Sequence, residues 1–184
     1  MDAILTAIIN EIKSVAENVN EERLDSVVEA ITYAPRIFVA GAGRSGLMAK
    51  AFAMRLMHAG LDANVIGEIT TSSSRQGDLL VLATGSGETE SLKAYAQKAK
   101  KNGLKIVAIT SFPESTLGTM ADIVLQIPAP TPKSDKQSSI SSKQPMGSLF
   151  EQTLLLSFDT LVIKTMKALN LESDEMFKNH ANLE

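Results

Sequence analysis

The 184-residue chain contains no cysteine. That excludes disulfides, thiolate metal sites and a cysteine nucleophile together, and it fits a reducing compartment, so a cytoplasmic location is expected. Tryptophan is absent as well, and aromatics make up only 4% of the residues against 44% hydrophobic in total. The core must therefore be aliphatic, and stacking platforms for nucleic-acid bases are excluded. Positive charge is scarce: 18 Lys and Arg against 21 Asp and Glu leave a net charge of -3. Such a chain has no electrostatic pull toward nucleic acid or an anionic membrane, so neither is expected as a partner. No apolar run approaches the ~20 residues of a membrane span. The start, Met1-Asp2-Ala3-Ile4-Leu5, carries an acid where a signal peptide carries positive charge. What remains is a soluble protein that handles small polar metabolites.

The hydrophobic residues that are present alternate between two periods. Over 3–19, Ile4, Leu5, Ile8, Ile9, Ile12, Val15 and Val19 fall on one helical stripe with Glu11, Lys13 and Glu17 opposite, and a second helix is predicted over 21–33. Five short runs rich in Val, Ile and Leu follow at 37–40, 63–66, 79–83, 104–109 and 123–127, each reading as a strand covered on both faces. Between them lie helical patterns over 47–59, 88–102 and 115–121, the first two ending at Gly60 and Gly103 where a left-handed residue closes a helix. Strands alternating with helices predict a three-layer α/β sandwich around a five-stranded parallel sheet of the flavodoxin-like kind, preceded by N-terminal helices. The chain reads as one domain over 1–184: helices over 1–33, a Pro- and Ser-rich loop over 128–147, and C-terminal helices and a tail over 148–184. A final helix over 148–170 is apolar around more than half its circumference, which, with the stripe of the first helix, predicts a homo-oligomer.

Ligands of such sheets sit beyond the carboxyl ends of the strands, and two strand-to-helix junctions there carry suggestive residues. Gly41-Ala42-Gly43-Arg44-Ser45-Gly46 satisfies G-x-G-x-x-G, with Glu68 placed 22 residues further on where a ribose-binding acid would sit. A tight turn capped by Ser45 is the structural alternative. Thr84-Gly85-Ser86-Gly87-Glu88-Thr89 sets three hydroxyls and two glycines where backbone N–H groups and the helix dipole favour an anion, with no lysine in the nucleotide P-loop position. Its alternative is a helix cap by Ser86. In a third segment, Gln144-Pro145-Met146-Gly147-Ser148-Leu149-Phe150-Glu151-Gln152, the spacing Ser148-x-x-Glu151 reads as a capping box. Glu151 also stands beside an apolar surface, the setting in which a carboxylate becomes a useful base. His58 is expected to end a helix, His180 lies near the C-terminus, and Lys93, Lys98, Lys100 and Lys101 read as a solvated helix face.

The runs GAGRSGLMAKAFAMRLMHAG (41–60), GSGET (85–89), QPMGSLFEQTLLL (144–156) and the terminal HANLE (180–184) resemble the 6-phospho-3-hexuloisomerases of the sugar isomerase (SIS) domain family. The Gly-Ser loops are common to SIS domains, whereas QPMGSLFEQ paired with HANLE is more specific. The resemblance implies interconversion of D-arabino-hex-3-ulose 6-phosphate and D-fructose 6-phosphate in the ribulose monophosphate pathway of formaldehyde assimilation, by a homotetramer without cofactor or metal. It further implies phosphate binding by Ser45, Thr84, Ser86 and Thr89, with Gly43, Arg44 and Gly87 beside them, and Glu151 as base. The chain departs from the usual pattern at Ala83-Thr84 and at Ser72, so the loop 72–76 is expected to reshape the sugar end of the pocket.

Such an isomerisation removes a proton alpha to a carbonyl and returns one to the adjacent carbon, which a single carboxylate can do without hydride transfer. Glu151 is the candidate shuttle, with Glu68 and Glu88 as fallbacks, His180 a candidate for moving the hydroxyl proton, and Arg44 a cation for phosphate or enediolate. Two rivals stand beside this reading. One is a non-catalytic SIS module that senses a sugar phosphate, although related regulators carry a DNA-binding part and residues 1–30 hold seven acids and two bases. The other is a nicotinamide-dinucleotide binder.

Overall fold

The computed structural model describes residues 2–132 and 140–183. The remainder of the Pro- and Ser-rich loop, 133–139, and Glu184 of the terminal motif lie outside the described residues. Two helices come first, α1 (Ala3–Ala16) and α2 (Glu21–Tyr33), followed by β1 (Ile37–Gly41), α3 (Gly43–His58), β2 (Ala63–Val65), β3 (Leu79–Ala83), α4 (Glu90–Lys101), β4 (Lys105–Thr110), α5 (Thr116–Met120) and β5 (Ile123–Gln126). The chain closes with α6 (Ser148–Leu169) and α7 (Ser173–Phe177). The strands form one sheet in the order β2-β1-β3-β4-β5, every pair parallel. This is the expected three-layer α/β arrangement.

Side-chain alternation along the strands builds two cores. Ile37, Val39, Val81, Ala83, Val107, Ile109 and Leu125 face one side, where they meet Val27 and Ile31 of α2, Phe52 and Leu56 of α3, and Leu154, Phe158 and Leu161 of α6. Phe38, Ala40, Leu80, Leu82 and Ile106 face the other side, against Leu92, Ala96 and Ala99 of α4 and Leu117 of α5. The three central strands are buried on both faces, as their uninterrupted apolar runs predict. The edge strand β2 is only half-buried, because a loop rather than a helix connects it to β3.

Two helix starts and one helix cap differ from the sequence expectation, each for a local reason. The helix α3 begins at Gly43, not Leu47: one residue, Ala42, separates it from β1, and Ser45 lies inside the helix rather than capping it. Gly41 and Gly46 permit this turn, since a Cβ on Gly46 would stand 2.7 Å from the Gly41 carbonyl oxygen and one on Gly41 would stand 2.9 Å from the Gly46 nitrogen. The helix α4 begins at Glu90, not Glu88, because the preceding hydroxyls hold a turn instead: Gly87 N donates to Thr84 Oγ1 (3.3 Å) and Glu88 N donates to Ser86 Oγ (3.2 Å). The N-cap of α6 is Gly147, so Ser148 and Glu151 form no capping box; the Glu151 N–H bonds the Gly147 carbonyl, and its carboxylate points elsewhere.

Two helices that run from the carboxyl end of the sheet are pinned together by stacked rings, Phe52 of α3 on Phe158 of α6, with centroids 4.2 Å apart and planes 11° from parallel. Both rings are fully buried. Two turns above them stand Arg44 and Glu151, so this packing sets the register of the site. The contact between Gly41 and Gly46 fixes the other boundary. Gly46→Ala should destabilise the fold by about 1–3 kcal/mol through overpacking against backbone. The check is urea unfolding, with a lower midpoint and unchanged slope; an unchanged midpoint would show that the turn can open without cost.

Candidate active site

The strand order reverses between β1, which leads outward to β2, and β3, which leads the opposite way to β4. Their carboxyl ends are adjacent, with Gly41 paired to Ala83 in the register. The two glycine- and hydroxyl-bearing junctions therefore face each other at the switch point where open α/β sheets bind ligands. A cavity of about 450 Å³ lies there, within the range of about 300–1,000 Å³ typical of small-molecule sites. Gly43, Arg44, Ser45, Thr84, Ser86, Thr89 and Glu151 all line it. Gly87 stands just behind the wall, where a Cβ would collide with the Ser115 hydroxyl. Both ends of the Pro- and Ser-rich loop also reach the cavity, through Thr131 and Pro132 on one side and Pro145, Met146 and Gly147 on the other.

Three helices start at this cavity, and none of the three has a side-chain cap among the described residues: α3 behind Ala42, α4 behind Thr89 and α6 behind Gly147. Helices that start elsewhere are closed, α1 by Asp2, α2 by Asn20 and α5 by Ser115. The first N–H groups of a helix lack intrahelical acceptors and carry the positive end of its dipole. Uncapped N-termini directed at one cavity make an anion site out of backbone. Hydroxyls complete it: Ser45, Thr84 and Ser86 are all buried, and Thr84 shares a hydrogen bond of 3.1 Å with Thr89.

On the opposite wall Arg44 Nη1 donates to Ser148 Oγ (3.1 Å) and to Glu151 Oε2 (3.3 Å). Arg44 is half-exposed while the Glu151 side chain is only 17% exposed. Arg44 is the one cation and Glu151 the one carboxylate among the described residues lining the cavity. Sequence reasoning treated Arg44 and Glu151 separately, and it assigned Ser148 to a cap. The signal for Ser148 was the glycine immediately before it, which takes the cap position and frees the hydroxyl to face the site.

The fallback carboxylates stand outside the cavity. Glu68 pairs with Lys50 (2.6 Å) on the surface beyond β2, which leaves no ribose-binding acid beside the Gly-rich turn. Glu88 accepts the Thr116 N–H (2.8 Å) at the start of α5. The Thr116 backbone and hydroxyl, with Lys93 assisting, hold its carboxyl below the ordinary value. The loop 72–76 is also remote from the cavity. Ser72 bonds Asn64 through both its N–H (3.2 Å) and its hydroxyl (3.1 Å), and Ser72 and Ser74 line a second cavity of about 270 Å³ on the other face of the sheet. Ser72 therefore does not line the first cavity, whereas Thr131, Pro132 and Met146 do.

His180 is not brought to Glu151 within the chain. Its ring stacks on His58 at 5.3 Å and on Phe177 at 5.8 Å, while Asn179 Nδ2 donates to the His58 carbonyl (2.9 Å). His58 is the last residue of the 16-residue helix whose first residue lines the cavity, about 22 Å away along the helix axis, and His180 stacks on His58 at that far end. Burial, assisted by Arg55 and His180, lowers the pKa of His58.

This geometry agrees with the comparisons to known proteins. The SIS domain matches residues 30–156. The chain is 48% identical over 177 residues to the 3-hexulose-6-phosphate isomerase of Bacillus subtilis, covering 96% of this chain and 95% of that protein. It is 42% identical over 180 residues to the 3-hexulose-6-phosphate isomerase of Mycobacterium gastri, covering 98% and 89%. A Methanococcus jannaschii protein whose crystal structure infers a molecular function of 3-hexulose-6-phosphate isomerase superposes with a TM-score of 0.84 at 37% identity, over 98% of each chain. With its Gly-Ser junctions at the sheet switch point and these relatives spanning nearly its whole length, the chain belongs to the SIS domain family.

Proposed function

We propose that the chain is an isomerase that interconverts D-arabino-hex-3-ulose 6-phosphate and D-fructose 6-phosphate through an enediolate. The observation that carries this reading is one carboxylate, Glu151, facing an anion cradle of backbone N–H groups and hydroxyls across a single cavity. The phosphate would sit on the starts of α3 and α4, against Ser45, Thr84, Ser86 and Thr89. The sugar then extends toward Arg44, Ser148 and Glu151. In the direction of fructose 6-phosphate, Glu151 takes the C2 proton, the C2–H electron pair forms the C2–C3 double bond, and negative charge moves to O3 beside the Arg44 guanidinium. Return of the proton to C3 and transfer of the O2 proton to O3 complete the change, with no net gain or loss of electrons.

In this reading the enzyme is cytoplasmic and serves the ribulose monophosphate route of formaldehyde assimilation. Residues 1–184 form one functional unit that assembles as a homotetramer. Assembly is favoured by apolar side chains that the chain leaves exposed: Ile4, Leu5 and Ile9 on α1, Leu156 and Ile163 on α6, and Leu47 and Met54 on α3. Ile12 and Val15 of the N-terminal stripe are instead used within the chain. His180, remote from Glu151 in its own chain, can move the hydroxyl proton only from a neighbouring copy.

The direct test is an assay coupling fructose 6-phosphate formation to a reporter enzyme. Binding of fructose 6-phosphate with no turnover would favour a sensing module. Ser86→Ala should weaken binding of fructose 6-phosphate by about 1–3 kcal/mol, the scale of a hydrogen bond to a charged group, and unchanged affinity in calorimetry would move the cradle elsewhere. Glu151→Gln should lower kcat by about 100- to 10,000-fold with near-normal melting temperature, since Gly147 rather than Glu151 occupies the cap of α6. A variant that keeps most of its activity would remove Glu151 as the base. For the assembly, sedimentation velocity should show an oligomer at micromolar concentration that Ile9→Asp weakens by placing charge in an apolar seam. A wild-type monomer would contradict it.

A further inference from the structure

Glu11 stands on α1 one turn before the buried Val15, on the inward side of the helix and itself partly buried, where a carboxylate without partners is costly. Its carboxylate is engaged by three consecutive residues more than 130 positions away. Ser142 Oγ donates to Oε2 (2.6 Å), Lys143 N donates to Oε1 (2.9 Å), and Gln144 Nε2 donates to Oε2 (3.2 Å). The backbone N–H of Gln144 donates in turn to Ser142 Oγ (3.0 Å), which turns the serine proton toward the carboxylate. The clasp is thus closed on itself, and the Ser142 hydroxyl and the Lys143 N–H, in that order, hold the Glu11 carboxyl below its ordinary value.

The residues that follow the clasp are Pro145, Met146 and Gly147, which form the wall of the cavity next to Ser148 and Glu151. Met146 has φ +58°, a left-handed backbone that a residue with a Cβ rarely adopts. Such a conformation persists only where its surroundings over-determine it. Downstream, Leu149 and Phe150 are fully buried and fix the start of α6. Upstream, Glu11 holds Ser142 to Gln144 directly, and Ile140 before them packs against the main core. The wall is therefore suspended between the α6 core on one side and the Glu11 clasp with Ile140 on the other.

We infer that Glu11 is a positioning residue that holds Pro145, Met146 and Gly147 against the sugar end of the ligand. This rests on the sugar-phosphate reading of the cavity given above. The phosphate end is built independently, on the carboxyl ends of β1 and β3, and Glu151 is held by α6 through the Phe52–Phe158 stack. Loss of the clasp therefore lowers the fraction of chains with the wall in place without touching the cradle or the base.

The test compares Glu11→Ala with wild type, alanine being a good helix former that leaves α1 intact. Calorimetry with fructose 6-phosphate should show Kd raised about tenfold, as a reduced competent fraction requires, while Kd for inorganic phosphate changes less than about twofold. In the coupled assay KM should rise with Kd and kcat should stay within about threefold. Glu11→Gln, whose amide oxygen still accepts the Lys143 N–H, should fall between the two, and Ser142→Ala should add little in the Glu11→Ala background because both remove the same clasp. Fructose 6-phosphate affinity equal to wild type would overturn the inference, and so would an equal loss of phosphate and sugar-phosphate affinity, the mark of a general structural effect. Wild type that binds fructose 6-phosphate without turning it over would sink the isomerase reading alone, with the affinities still deciding the role of Glu11. Wild type that binds no sugar phosphate would overturn both.

Discussion

Among the described residues, the starts of α3, α4 and α6 have no side-chain cap, and all three are directed at the cavity beyond β1 and β3. A helix start buried without acceptors is unfavourable, and the protein closes α1, α2 and α5 with Asp2, Asn20 and Ser115. The concentration of uncapped starts in one place is a constraint that an anionic ligand satisfies, since it accepts the N–H groups and meets the positive ends of the dipoles at once. The site needs no lysine for this. The buried hydroxyls of Ser45, Thr84 and Ser86 add donors without adding charge, so an anion placed here would meet fixed dipoles rather than mobile cations.

The chemistry of the site follows from how the third helix start is placed. The stacked Phe52 and Phe158 rings set α6 beside α3 so that Glu151 arrives within 3.3 Å of Arg44. One wall of the cavity therefore carries helix starts and hydroxyls, and the other presents a carboxylate and a cation. In the proposed isomerisation the phosphate would anchor the sugar and bring the carbon to be deprotonated to the carboxylate, a use of binding energy from a remote group. The wall containing Met146 closes the remaining side of the cavity.

Local pattern made most of the fold legible. The apolar runs at 37–40, 79–83 and 104–109 became the buried centre of the sheet because nothing but two-sided burial suits uninterrupted Val, Ile and Leu. The two hydroxyl junctions could be singled out because their chemistry is local to a strand-to-helix turn, and the structure sets both against one cavity. Element starts were less legible: Ser45, Ser86 and Ser148 each carry a good capping side chain, yet in each helix the cap fell to a neighbour, Ala42, Thr89 or Gly147, and the hydroxyl turned to the cavity or its turn. Capping preference is a local prior, and the ligand site overrode it. The Arg44–Glu151 pair, the Glu11 clasp and the stacking of His180 on His58 join residues more than 100 positions apart, and no periodicity within one segment encodes such contacts.

The most direct measurement of the central claim follows the proton itself. When fructose 6-phosphate is incubated with the protein in deuterated water, removal and return of the C3 proton by an ionisable carboxylate that exchanges with solvent must place deuterium at C3. Nuclear magnetic resonance of the recovered sugar phosphate should show that label with the wild-type chain and not with Glu151→Gln. Interconversion of the two ketoses with no deuterium entering either one, and at the same rate with Glu151→Gln as with wild type, would mean that hydrogen moves between the carbons without passing through this carboxylate, and the enediolate account built on Glu151 would be wrong.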